Sequence, residues 1–271
     1  MPAKSSSVRP KQSLGQNFLV DDNIARNIAR DAHLMENDVV VEIGPGHGAL
    51  TKYLVKRVRH LIAVEIDRRV VNELRNLYES PSVTILHQDF LETDVADLCG
   101  KFGTKLRVMG NIPYHLTSEI LIKIFDAREF VRDITIMVQK EVARRIVAKP
   151  GTKACGILSV FSQFYGIPRL MFDVSPNCFY PRPNVTSTLV QLKLFDELSE
   201  SVDVDLFKTL VRTAFGKRRK TLRNSLKYLP IDEDVAARFL SESEIPMHIR
   251  AEELTVEDWV KLTHELEKCN A

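Results

Sequence analysis

Val39-Val40-Val41-Glu42-Ile43-Gly44-Pro45-Gly46-His47-Gly48-Ala49 begins as an apolar, β-branched run and closes on glycines at every second position. Near-continuous hydrophobicity of this kind belongs to a strand covered on both faces, as in a parallel sheet flanked by helices. Gly44, Gly46 and Gly48 allow a sharp turn and a close approach of backbone to a ligand. A helix following the turn offers N–H groups that no helical carbonyl satisfies. In open α/β sheets ligands bind beyond the carboxyl ends of the strands. The stretch therefore predicts both a fold class and the place of a site.

Further strand patterns lie at 60–66, 83–89, 106–111, 133–139, 170–174 and 186–195, with helical patterns at 49–58, 67–78, 94–100, 117–126, 140–148 and 155–165. Alternation at this spacing reads as βαβ units of a mostly parallel sheet. The last run alternates more than the others and follows a Pro-rich loop (Pro176, Pro181, Pro183), so a half-exposed antiparallel edge strand is expected there. After Phe195 an acidic, Ser-containing linker leads only to helical patterns, at 203–215, 217–228, 233–241 and 255–268. The expected organisation is a flexible tail (1–11), an α/β domain (12–195) and a small all-helical domain (196–271).

Composition excludes several classes. Hydrophobic residues make up 44% and charged residues 27% of 271, an ordinary soluble balance. No apolar run approaches the ~20 residues that span a bilayer. The amino terminus lacks the apolar segment of a secretory signal, so a cytoplasmic protein is expected. Cys99, Cys155, Cys178 and Cys269 form no C-x-x-C pair, which speaks against a disulfide framework or a zinc site, and no metal is expected.

Glu65 lies 21 positions after Gly44, at the end of the second strand pattern, where an acid can accept from both hydroxyls of a ribose. Asp89 ends the third and can accept from an adenine amine. Acceptors and glycine breaks at consecutive strand ends suit an adenosyl ligand without saying which one. Gly44-x-Gly46-x-x-Ala49 with a distant acid also satisfies the nicotinamide dinucleotide fingerprint, so a methyltransferase and a dehydrogenase both remain open at this point.

The fourth strand pattern ends in Gly110-Asn111-Ile112-Pro113-Tyr114. An adenine amine is a poor nucleophile because its lone pair is delocalised into the ring. Two acceptors gripping its hydrogens, the Asn111 side-chain oxygen and the Ile112 carbonyl, would draw the nitrogen toward sp³. Pro113 stiffens the turn and holds Ile112 extended. Tyr114 offers a face on which an extruded base can stack. No strong base is needed, since the proton becomes acidic once nitrogen is alkylated, and positioning with electrostatics carries the rate. The plainer alternative is a strand-ending turn. Phe179, in a Pro-stiffened loop, can supply the second stacking face or pack in the core, and Tyr180 can take its place.

From Lys208 to Lys227 there is no Asp or Glu, although the net charge of the chain is only +2. Lys217, Arg218, Arg219, Lys220 and Arg223 fall on a predicted helix and can neutralise phosphates without reading sequence. A solvated helix face is the alternative. Single-stranded or loop RNA fits best, because its bases splay out at low cost.

Together S-L-G-Q-N-F-L (13–19), E-I-G-P-G-x-G (42–48), E-I-D (65–67), Q-D (88–89), G-N-I-P-Y (110–114), F-Y-P-R-P (179–183) and F-G-K-R-R-K-T-L-R-N-S-L (215–226) resemble the ribosomal RNA adenine dimethyltransferases, small-subunit branch. The resemblance runs from about 11 to 265. It implies a Rossmann-like class I methyltransferase sheet, mostly parallel with the last strand antiparallel, and S-adenosyl-L-methionine as cofactor. It implies that Asn17 and Leu19 contact that cofactor, Gly44 lies under its methionine portion, Glu65 holds the ribose and Asp89 the adenine. Asn111 would line the pocket, with Tyr114 and Phe179 flanking the target base. Asn17 and Leu19 are otherwise readable only as the approach to a helix at Asp21–Arg30. The implied partner is 16S rRNA within the immature small subunit, met by a monomer. The implied product is N6,N6-dimethyladenosine at two adjacent adenosines of the 3′-terminal hairpin loop. His47 and His115 fall at positions where the family varies and receive no role. A ribosome-assembly factor that uses its cofactor pocket only structurally is the non-enzymatic alternative.

Overall fold

The computed structural model describes residues 9–11, 14–78, 80–198, 202–217 and 219–270. Residues 1–8 of the expected tail, and Arg218 of the basic block, lie outside them. By compactness the chain forms two units, Met1–Ala143 with Ile167–Asp196, and Arg144–Gly166 with Glu197–Ala271.

The first unit is built on a sheet of order β4-β3-β2-β5-β6-β9-β7. Its strands are β2 (Val39–Ile43), β3 (His60–Glu65), β4 (Val83–His87), β5 (Leu106–Asn111), β6 (Val131–Gln139), β7 (Gly166–Val174) and β9 (Ser187–Leu194). Strands β2 to β6 pair in parallel, and β9 runs antiparallel to β6. All five residues of β2 are buried, as its apolar run requires. The order places β2 between β3 and β5, so the chain reverses direction across the sheet at the carboxyl end of β2, where a crevice opens. Helices α1 (Asp22–Asp31), α2 (Thr51–Leu54), α3 (Arg68–Leu77), α4 (Val95–Phe102) and α5 (Thr117–Asp126) connect or precede these strands, and α6 (Lys140–Ile146) follows β6.

Two strand readings change. The run at 186–195 is antiparallel as expected but is not an edge. β9 lies inside the sheet, and β7, which carries Pro168, takes the edge position where a missing N–H is tolerated. A second sheet of two short strands joins β1 (Phe18–Leu19) to β8 (Phe179–Tyr180), with Phe18 opposite Tyr180 and Leu19 opposite Phe179. This pair draws the amino-terminal segment to the Pro-rich loop across 160 residues of chain.

In the second unit α7 (Ile157–Tyr165) packs with α8 (Val204–Gly216): Phe164 stacks on Phe207 at 4.0 Å. This apolar contact explains why Arg144–Gly166, which the sequence reading placed with the sheet, groups with the carboxy-terminal helices. Helices α9 (Leu222–Leu226), α10 (Glu233–Glu242) and α11 (Val256–Asn270) complete it. The helix expected at 217–228 shrinks to α9. Gly216 ends α8, Lys217 leaves the helical region at φ −123°, and Thr221 begins the next helix from an extended backbone. Lys217, Arg219 and Lys220 therefore sit in a turn, where like charges are not stacked on one helix face.

Candidate active site

Strand β2 ends in Ile43 and the chain turns through Gly44 at φ +62°, a conformation that favours glycine. A side chain placed on Gly44 would lie 3.6 Å from the Asn111 carbonyl, so the glycine turn and the end of β5 are neighbours. Just before, a side chain on Gly110 would fall 2.3 Å from the Ile43 carbonyl, a distance no Cβ can occupy. Glycine at 110 is thus what lets β2 and β5 close up beneath the site.

Beyond these strand ends lies a cavity of about 270 Å³. Asn17, Gly44, Gly46, Glu65, Asp89, Asn111, Ile112 and Tyr114 all line it, so most of the expected site residues come together. Glu65, only 5% exposed, accepts from the Gly46 N–H at 3.3 Å and from the Asp67 N–H at 2.9 Å. Burial pushes its carboxyl above the usual range. Asp89 caps a short 3₁₀ turn, with one carboxylate oxygen accepting from the Leu91 N–H at 2.8 Å.

Asn111 is oriented by the amino-terminal segment. Its Nδ2 donates to the Asn17 carbonyl at 2.7 Å, which fixes the amide and leaves Oδ1 as its free acceptor. Asn17 is itself held, its Nδ2 donating to the Gly15 carbonyl at 3.3 Å. Gln16 anchors the same segment by donating to Asp67 Oδ2 at 3.3 Å. The Asp67 carboxyl is drawn down to about 2, chiefly by its hydrogen bond to Arg69. Tyr114 is partly buried and shares a 2.5 Å hydrogen bond with the buried Ser187 hydroxyl of β9, which ties one end of its ring to the sheet.

Leu19 and Phe179 do not line this cavity. Their side chains, 7% and 3% exposed, join the apolar cluster that contains Ala25, Met109, Met137 and Leu189. Tyr180, the alternative stacking face, is 64% exposed. Sequence reasoning passed over Phe18, Gln88 and His115, which also line the cavity. Phe18 could have been suspected as the apolar neighbour of Asn17. His115 directly follows Tyr114, and its imidazole lies against Gly15.

Beneath the glycine turn lies Glu42, 1% exposed, accepting from the Thr51 hydroxyl at 2.7 Å. Burial pushes its carboxyl up to about 8. It borders a water-sized space that shares Gly44, Gly46 and Asn111 with the main cavity.

Of the basic residues, Lys217, Arg219 and Lys220 are exposed. Arg223 is exposed too but donates to the Leu240 carbonyl at 3.3 Å, a bond that joins α9 to α10. Among the described residues no group of three or more potential metal ligands converges, and no helix is long and apolar enough to cross a membrane.

The family model described as "Ribosomal RNA adenine dimethylase" matches residues 8–268. A "Ribosomal RNA small subunit methyltransferase A" of Alkaliphilus oremlandii is 41% identical over 95% of this chain and 92% of its own length. Among solved structures, a dimethyladenosine transferase from Plasmodium falciparum superposes with a TM-score of 0.78 at 24% identity, covering 93% of this chain and 98% of that one. A 23S rRNA methyltransferase, ErmE, gives 0.68 at 25% identity, covering 93% and 100%.

Proposed function

This chain belongs to the ribosomal RNA adenine dimethylase family, and from that premise we propose that it methylates N6 of two adjacent adenosines in the 3′-terminal hairpin loop of 16S rRNA, giving N6,N6-dimethyladenosine. It acts as a cytoplasmic monomer on the immature small subunit. The dehydrogenase reading of the glycine loop is set aside, because it gives no reason for Asn-Ile-Pro-Tyr at the end of β5. The 41% identity to a small-subunit methyltransferase over 95% of this chain supports the choice of RNA.

The observation that carries the reading is the anchored amide of Asn111. With Nδ2 turned to the Asn17 carbonyl, the amide orientation is set and Oδ1 is left to face the cavity as an acceptor. An acceptor is what a delocalised amine requires, since gripping its hydrogens localises the nitrogen lone pair. The Ile112 carbonyl, beside it in the cavity wall, serves as the second acceptor for the unmethylated amine. After the first transfer a single N–H remains, and one acceptor suffices. Tyr114 stacks on the extruded base, its ring held by Ser187. Phe179 pairs opposite Leu19 with its side chain packed in the apolar cluster, so it stacks on the base only by turning out of that cluster, and exposed Tyr180 is the other aromatic face within that loop.

The residues present fit S-adenosyl-L-methionine. Glu65 is a buried carboxylate that accepts only backbone N–H groups, and a ribose diol would supply further donors. Asp89 would receive the adenine amine, and Asn17, Gly44 and Gly46 would border the methionine portion. When bound, this group supplies an electrophilic methyl carbon on a sulfonium.

The test is incubation of the chain and methyl-tritiated S-adenosylmethionine with undermethylated small subunits, followed by nucleoside analysis. Label in N6,N6-dimethyladenosine is expected. Label on naked large-subunit rRNA would overturn the choice of RNA, and no label on any RNA would overturn the enzyme reading.

A further inference from the structure

The turn between α8 and α9 places an exposed aromatic among cations. Tyr228, 53% exposed, has the Lys220 ammonium 4.6 Å and the Lys217 ammonium 4.9 Å from its ring centroid. Lys220 Nζ also donates to the Tyr228 hydroxyl at 2.7 Å. Lys220, Asn224, Lys227 and Tyr228 together line an open depression of about 390 Å³. Among the described residues no carboxylate pairs with Lys217, Lys220 or Lys227, and the chain from 208 to 227 contains none.

Two ammonium groups over one ring, with a third lysine lining the same depression, repel each other, and an isolated fold would gain by placing an acid among them. An anion seated there relieves the repulsion instead. The phenol adds a specific feature. Its oxygen accepts from Lys220, so its own O–H is left to donate. The lysines hold the phenol's pKa below the ordinary value, led by the Lys220 hydrogen bond, which makes it a better donor. Asn224 adds an amide with two more donors. Converging cations and neutral donors match a phosphodiester oxygen pair.

We propose that Tyr228, with Lys217, Lys220, Asn224 and Lys227, forms an RNA-backbone subsite in the helical unit that binds one phosphodiester through the Tyr228 hydroxyl and the surrounding ammonium groups. It rests on the reading of the chain as an RNA methyltransferase, and it assigns Tyr228, Asn224 and Lys227 a role that a simple charge run does not. Tyr228 is a positioning residue as well as a donor, since it gathers two lysines that would otherwise be free rotors.

The experiment measures binding of the full chain to undermethylated small subunits as a function of salt. Lys217→Gln, Lys220→Gln and Lys227→Gln combined should lower the slope of log affinity against log salt by about 0.7, one phosphate contact on a single strand. Tyr228→Phe removes a donor and no charge, so it should weaken binding about tenfold, the scale of one hydrogen bond to a charged group, with the slope unchanged. Tyr228→Leu, which also frees the lysines, should weaken it further. Affinity for S-adenosylmethionine and thermal melting read folding independently, so a collapsed variant is recognised and replaced by Tyr228→His. Wild-type affinity in Tyr228→Phe, or a wild-type slope in the triple lysine variant, overturns the subsite while leaving the methyltransferase reading intact. If the unmodified chain itself shows no salt-dependent binding to the particle, both fall.

Discussion

At the amino ends of β2, β5 and β6, Arg107 lies between Asp38 and Asp133 at 2.8 and 2.9 Å and also donates to the Ala32 and His33 carbonyls. At the carboxyl ends of β2 and β3, Glu42 and Glu65 are just as buried, yet among the described residues no cation is paired with them. One end of the sheet neutralises every charge it buries, and its geometry is locked. At the other end Asp67 is paired with Arg69, but Glu42 and Glu65 are buried against backbone N–H groups and a hydroxyl, leaving further donors to be supplied from outside. Burying an unpaired carboxyl is costly in free energy and shifts its protonation instead. The imbalance at the carboxyl end marks a place shaped for a ligand rather than for stability.

That contrast can be broken from either side. Arg107→Ala should have the largest effect, costing about 3–5 kcal/mol, because it leaves two buried carboxylates with the half-exposed Arg132 as their remaining cation. Urea unfolding measures it, and a loss below 1 kcal/mol would remove the distinction between the ends. Glu42→Gln should act in the opposite direction. The folded carboxyl titrates at about 8 against 4.5 as its ordinary value, so the folded state holds the proton more tightly. Its stabilising contribution is complete below pH 4.5 and is lost as pH rises through 8. The glutamine variant should match the parent near pH 4.5 and exceed it by on the order of 3 kcal/mol at pH 8, at about 1.4 kcal/mol per pKa unit with allowance for relaxation. A gap that does not widen with pH in unfolding titrations would contradict the account of Glu42. Arg132→Gln sharpens the comparison. Arg132 also binds Asp38, at 2.7 Å, but is 42% exposed, so its loss should cost only about 0.2–1 kcal/mol.

The locked end and the open end were not equally legible in the sequence. Gly44, Glu65, Asp89 and Asn111 sit at the ends of apolar runs, and a parallel sheet brings the ends of its strands together whatever the details. Their convergence could be anticipated from strand order alone. The Arg107 network could not, since Asp38 and Asp133 look like ordinary charges flanking strands until the register aligns them. The β1–β8 pair escaped notice because two residues carry no periodicity. It matters nonetheless, since with Gln16 and Asp67 it positions Asn17, which orients Asn111. The alternation at 186–195 suggested an edge, but burial by β7 was decided by a chain segment read only as a short strand. The helix expected through Lys217–Lys227 failed because hydrophobic spacing there is supplied by Leu222 and Leu226 alone, leaving the lysines in a turn around Tyr228.

The central claim is that the Asn111 side-chain oxygen is the acceptor that prepares the adenine amine. The most direct measurement is the single-turnover rate of methyl transfer by Asn111→Ala with S-adenosylmethionine and undermethylated small subunits both saturating. A fall of about 10²- to 10³-fold, the scale for removing one preorganised hydrogen-bonding group from a transition state, is the predicted result. A rate within threefold of the unaltered chain would contradict it.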